Sequence, residues 1–119
     1  MEFSDAYHAQ DLATLMSFYG EDADVVVIGS TKDEKCMGLT EIQDAYQREF
    51  SQSSPVLLEF TWISVSNLGP LCWVATECLA HATIEQETVS LPARLTAVLE
   101  NRGNRWLILQ QHFSFPATS

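Results

Sequence analysis

The sequence predicts an α+β fold in which helices come first and a mainly antiparallel sheet follows. Three observations carry this. Apolar residues recur at three- and four-residue spacing in two early segments, Leu12, Leu15, Met16, Tyr19 and Ile42, Ala45, Tyr46, Phe50, as on a helix with one face on a core. From Val56 on, the chain reads as strands separated by short turn-rich stretches. The last strand pair, Leu91 to Pro116, flanks Asn101-Arg102-Gly103-Asn104, whose Gly and Asn tolerate the positive φ of a tight hairpin.

Taken in order, Ser4 reads as the cap of a helix beginning at Asp5, with acids early where the helix dipole favours them. Asp11 is also a good cap, so residues 5–19 read either as one helix or as two with a kink. Val25-Val26-Val27-Ile28 is a β-branched run without alternation, which suits a strand covered on both sides. A polar loop, GSTKDEKCMG, has room for a brief strand at Lys35 to Met37. Thr40 then opens a helix running to residue 52, with Gln43 completing a capping-box pattern, and SQSSP stops it.

Val56 to Ser66 and Leu71 to Ala82 flank the turn Asn67-Leu68-Gly69-Pro70. Pairing Ser66 with Leu71 puts Phe60, Trp62 and Ser64 on one face with Trp73, Ala75, Glu77, Leu79 and His81. Thr61, Ile63, Val65, Cys72, Val74, Thr76 and Cys78 take the other. Both faces are largely apolar, whereas a sheet with one solvated face alternates more cleanly. One face is therefore expected on the helices and the other on a second copy of the chain, giving a homodimer. IEQET is the next turn, and Pro92 marks an edge or a bulge. In the last hairpin, a three-residue loop with Gly103 left-handed sets Arg94 beside Gln110, Thr96 beside Ile108 and Val98 beside Trp106. That register places Arg94, Gln110, His112 and Ser114 on one face, and a one-residue slip would separate Arg94 from His112.

The 119 residues suit a single domain, 1–119, with one core. Hydrophobic content of 46% with 18% charged residues argues for a folded globule. The net charge of −10 argues against nucleic-acid or anionic-membrane partners. Twelve of the sixteen acids fall in residues 1–59, as on a solvated helical face. No apolar run approaches the ~18 residues of a membrane span, and MEFSDAYHAQ lacks the basic and apolar regions of a secretory signal. Cys72 and Cys78, on one strand about 20 Å apart, cannot bond to each other. With Cys36 they read as small buried hydrophobes in a reducing cytoplasm. There is no Gly-rich phosphate loop, zincin-type helix, paired-cysteine motif or nucleophile elbow, and His8, His81 and His112 are dispersed. No metal or cofactor is expected.

Helices followed by a four-strand antiparallel meander ending RLTAV…NRW.I…HFS.P resemble the SnoaL-like branch of the nuclear transport factor 2-like superfamily. DLATLMSFYGEDADVVVIGS, DEKCMGLTEI and RLTAVLENRGNRWLILQQHFSFP carry the resemblance, the last most specifically. It implies a cone, a curved sheet wrapped around N-terminal helices, with a pocket at the open end and frequent dimerisation. Relatives include polyketide cyclases, ketosteroid isomerases, dehydratases and epoxide hydrolases, and also noncatalytic transport and association domains, so the fold supplies no activity. The steroid isomerase and cyclase branches use strand aspartates as bases. No Asp follows Asp44 here, so that chemistry does not carry over. The chain also starts with fewer residues ahead of Asp11 than the family's long lid helix needs.

His112 is the acid–base candidate, since imidazole exchanges protons near neutral pH; its structural alternative is a hydrogen-bonded rim residue. Arg94 needs an acceptor if buried, and Gln110 or a ligand carboxylate would serve, or a loop acid in a salt bridge. Glu77 is a possible general base if it faces the cone and a surface charge if it does not. Glu34 matches an acidic position common in that branch, which implies a role in anchoring its loop near the pocket mouth; its structural alternative is a solvated loop acid. Trp62, Trp73 and Trp106 read first as core, with Trp106 or Trp62 as a pocket wall. Helix phase leaves open whether Tyr7 and Tyr19 point phenols into the cone. Two functions follow. One is a pocket for a small, mostly apolar molecule with cyclase, isomerase or hydrolase chemistry. The other is a noncatalytic ligand-binding or dimerisation module.

Overall fold

The computed structural model of the chain describes residues 2–117. Its elements are α1 (Glu2–His8), α2 (Leu12–Met16), β1 (Val26–Ile28), β2 (Lys35–Met37), α3 (Leu39–Gln52), β3 (Leu57–Leu68), β4 (Leu71–Ile84), β5 (Glu87–Arg102) and β6 (Arg105–Ser114). The N-terminal segment is two helices. Gln10 takes a left-handed φ of 54°, and Asp11 caps α2 by accepting from the Thr14 N–H at 3.3 Å and its hydroxyl at 2.7 Å. Ser4 lies inside α1 rather than ahead of it, because the helix starts earlier, and it is buried there.

The capping box expected at Thr40 and Gln43 does not form either. The chain turns from β2 straight into α3 through Gly38 at φ 83°, a conformation that favours glycine, so α3 begins at Leu39. Glu41 instead accepts the Met37 N–H at 2.9 Å.

The sheet is curved and unclosed, in the order β2-β1-β6-β5-β4-β3. Every pairing is antiparallel except β1 with β6. Each hairpin turns through two residues: Gly69-Pro70, Glu85-Gln86 and Gly103-Asn104. Gly69, at φ 57°, occupies the first central position with Pro70 second, while Gly103 and Asn104 are both left-handed at 59° and 72°. These turns are tighter than the sequence suggested, and they move the registers. Leu68, not Ser66, pairs with Leu71, a slip of two that preserves the faces until a bulge at Thr61 moves Phe60 beside Cys78. Arg94 pairs with Ser114 rather than Gln110, and Thr96 with His112. A second bulge, between Val98 and Leu99, restores the parity that the shorter turn had lost, so Arg94, Gln110 and His112 do share a face. Pro92 lies where β6 has already ended, so β5 has an open edge there.

The helices cover the inner face of the sheet. Leu15, Val25 and Ile42 are fully buried, and Tyr19, Val25, Ile42 and Ile108 form one core cluster. Leu58, Cys78, Ala80 and Ala93 form a second, with Phe3, Tyr7 and Phe113 against it. The three tryptophans are not core. Trp62, Trp73 and Trp106 are 52%, 48% and 40% exposed; Trp62 and Trp73 stand on the face away from the helices, and Trp106 lies beside the last turn. Cys72 and Cys78 are buried as expected, Cys36 half-buried. No helix among the described residues is long and apolar enough to cross a membrane.

Candidate functional site

A cavity of about 530 Å³ opens between the inner face of the sheet and α1, α3 and the loop before β2. Its apolar wall comes from Phe3, Leu58, Leu95 and Phe113, and its polar groups from Tyr7, Tyr46, Glu49, Gln111 and Glu34. The volume lies within the ~300–1,000 Å³ of small-molecule sites. Helical spacing explains part of the placement. Ile42, Tyr46 and Glu49 recur at four and three residues, so the stripe that buries Ile42 also brings a phenol and a carboxylate to the cavity. Gln111 is buried on β6 between Gln110 and His112, which face the other way.

Tyr7 donates its O–H to Glu49 Oε2. Burial raises the Glu49 carboxyl above the usual range; the Tyr7 hydrogen bond works against that rise and Glu34 adds to it. Burial likewise raises the Tyr7 phenol, with Glu49 as the next cause. Deeper in, Tyr19 donates to Gln111 Oε1 at 2.7 Å, and the Tyr19 and Tyr46 hydroxyls lie 2.6 Å apart. A longer bond of 3.5 Å runs from Gln111 Nε2 to the Tyr46 oxygen. With Tyr19 donating to Gln111, Tyr46 donates to Tyr19, and the three side chains close a ring. Burial pushes the Tyr46 phenol up to about 12 and holds Tyr19 well above the ordinary value.

Glu34, an exposed loop residue, also lines the cavity. Its side chain folds over Gly29, where an added Cβ would collide with the Glu34 carboxylate. Thr31 Oγ1 donates to its Oε1 at 2.5 Å. The other expected residues lie elsewhere. Trp62 pairs with Glu77, and Glu77 with Arg94, in one row across β3, β4 and β5 on the outer face of the sheet. Glu77, Arg94, Gln110 and His112 are exposed there. Gln110 and His112 line a separate hollow of about 210 Å³ with Trp73 and Val98. Trp106 sits opposite Asn101 near the last turn and lines neither cavity. The expectation that Arg94, Gln110 and His112 border the cone pocket beside Trp106 or Trp62 is therefore corrected. Their shared face is the convex one, because the helices cover the alternate residues of the same strands.

The sequence reading did not single out Tyr46, Glu49 or Gln111. A signal existed for Glu49, a charge seven residues after Ile42 on an otherwise apolar stripe. Gln111 had none, because nothing in the alternation says which face is covered. On the outer face, His81 also bridges Ser90 at 2.7 Å and Glu59 at 2.9 Å. That serine–histidine–glutamate array lines neither cavity. Among the described residues, no three His, Cys, Asp or Glu side chains gather as metal ligands would.

Helices enclosed by a curved, open sheet, with a cavity between them, define a cone-shaped domain with a pocket. The profile of the SnoaL-like domain family matches residues 1–118, and the chain belongs to that family. Among curated proteins, none matches the sequence. Solved structures share the fold. A nuclear transport factor 2-like superfamily protein from Salmonella enterica serovar Typhimurium superposes with a TM-score of 0.85 at 14% identity, covering 99% of this chain and 86% of that one. An NTF2-like protein with a cystatin-like fold from Novosphingobium aromaticivorans gives 0.80 at 10% identity, over 98% and 77%. An NTF2-like protein of unknown function from Pseudomonas putida gives 0.84 at 16%, over 98% and 81%.

Proposed function

We propose that this SnoaL-like domain binds a small, mostly apolar molecule in the cavity between α1, α3 and the sheet. The observation that supports it is the cavity itself, a chamber of about 530 Å³ with an apolar wall and a half-buried carboxylate, Glu49. A screen of small apolar molecules by thermal shift tests it. Binding to the folded state raises the melting temperature by mass action, and Ala45→Phe, which fills the cavity from α3, is expected to abolish the shift. Hits that shift Ala45→Phe as much as the parent bind elsewhere and overturn the reading.

A catalytic reading of the same cavity, of the cyclase, isomerase or hydrolase type, is favoured by one feature. Glu49 holds its proton above the ordinary carboxylate range, and so is suited to exchange one with a bound molecule. It replaces His112 and Glu77 as the acid–base candidate. If a hit is turned over, Glu49→Gln should lower the rate by about 100-fold or more.

A dimerisation role is supported by the outer face, where Trp62, Trp73 and Leu57 are exposed. We propose a homodimer through that face, in a reducing cytoplasm that suits the free thiols of Cys36, Cys72 and Cys78.

A further inference from the structure

The polar groups of the cavity differ in what they have left to offer. The Tyr7 proton is given to Glu49, and the Tyr19 proton to Gln111. The Tyr46 proton goes to Tyr19, and Gln111 directs an N–H back to Tyr46. Each phenol donates only once, so the inner wall has spent its hydroxyl protons within the protein. The carboxylates have not spent their acceptors. Among the described residues, Glu49 is engaged through Oε2 alone, leaving Oε1 at the wall. Glu34 reaches the same space. A ligand entering here meets acceptors and needs to bring donors.

Charge and aromatic surface point the same way. Asp33, Glu34, Glu41, Asp44 and Glu49 line the cavity against Lys35 and Arg48. Beside Glu49, the rings of Tyr7 and Tyr46, both in the cavity wall, lie with centroids 6.2 Å apart. Rings of this kind attract cations through their negative faces. An anion would sit among carboxylates that already oppose one another, since Glu34 adds to the upward push on Glu49. The arginine expected to receive an anionic group, Arg94, is on the other side of the sheet.

We propose that the ligand is an organic cation, an alkyl- or arylamine whose apolar body fills the cavity and whose ammonium group meets Glu49. This rests on the ligand-binding reading above and names the chemical class that reading left open. The N–H groups of the ammonium supply the donors the wall lacks, and its charge offsets the cost of keeping Glu49 ionised in a half-buried place. Binding therefore displaces a proton from the fraction of Glu49 that is still protonated.

Matched sets of aryl and alkyl amines, alcohols and carboxylates test the assignment by calorimetry on the full chain. Phenethylamine, phenethyl alcohol and hydrocinnamate form one such set. Amines are expected to bind about tenfold or more tighter than carboxylates of the same skeleton. Just above the ordinary carboxylate range, amine binding should release protons, read from buffers of different ionisation enthalpy. In Glu49→Gln the amine preference and the proton release should disappear while alcohol binding stays. Glu34→Gln should weaken amines by a smaller factor, and serves as the second variant if Glu49→Gln folds poorly. Carboxylates or alcohols binding as tightly as amines would overturn the cationic assignment and leave the pocket standing. An amine preference unchanged in both variants would overturn it too. If no member of any set binds, the ligand-binding reading falls with it.

Discussion

The two faces of the sheet are built from the same strands and have opposite fates. On β4, Cys72, Thr76, Cys78 and Ala80 point inward and are buried, while Trp73 and Glu77 between them are exposed. On β5, Ala93, Leu95 and Ala97 are buried, and Arg94 and Thr96 are exposed. The inner face carries small side chains because helices and a cavity lie directly over it. The outer face carries two tryptophans with nothing in the monomer to cover them. Size and hydrophobicity therefore do not rank residues by burial here. What covers a face decides that, and Trp62 and Trp73 stand where nothing in the chain covers them.

The contrast can be broken most sharply from the inside. Ile42, fully buried beneath the sheet, should cost about 2–5 kcal/mol of unfolding free energy as Ile42→Ala, read from denaturant titration. A loss below 1 kcal/mol, on the order of a surface substitution, would mean that the helices do not seal the inner face.

Next comes the hydroxyl ring. Tyr19→Phe keeps the ring's shape but leaves Gln111 Oε1 without its donor, for an expected loss of about 1–3 kcal/mol. The same change at exposed Tyr positions of other folds is small, so the size of the loss reports how dry the inner network is.

A gentler effect comes from pH. Glu49 keeps its proton to higher pH in the folded chain than in the unfolded one. Folding then takes up a proton between the two values, so stability falls as pH rises through the window just above the ordinary carboxylate range. Asp11 and Asp22, both held low by hydrogen bonds, act in the opposite sense and at lower pH. Glu49→Gln should flatten the fall in that upper window. An unchanged slope would show that Glu49 is as wet as an outer-face acid.

The smallest change in folding stability is expected outside. Trp62→Ser with Trp73→Ser should alter monomer unfolding by only about 0.5 kcal/mol, because neither ring packs on the core. Light scattering gives the sharper reading of this pair. The parent should run at twice 13.3 kDa and the double variant at 13.3 kDa. A parent already at the single-chain mass would remove the dimer and leave the outer face without a partner.

The sequence by itself determined which segments form helix and which form strand. The Leu12–Tyr19 and Ile42–Phe50 stripes and the strand-only second half are local patterns, set by residue spacing and by turn chemistry at Gly69 and Gly103. It also determined the family, through stretches that span most of the chain. The candidate site was only half legible. Strand alternation grouped Arg94, Gln110 and His112 correctly on one face, yet alternation is symmetric and does not say which face the helices will cover. Two bulges, at Thr61 and beside Leu99, then decided which residues changed sides, and a bulge depends on the curvature of the whole sheet rather than on its own residue. Glu49 meets Tyr7 across 42 positions, and Tyr19 meets Gln111 across 92. Contacts at such separation exist only once the sheet has wrapped around the helices, so tertiary structure alone placed a carboxylate and two phenols in one cavity.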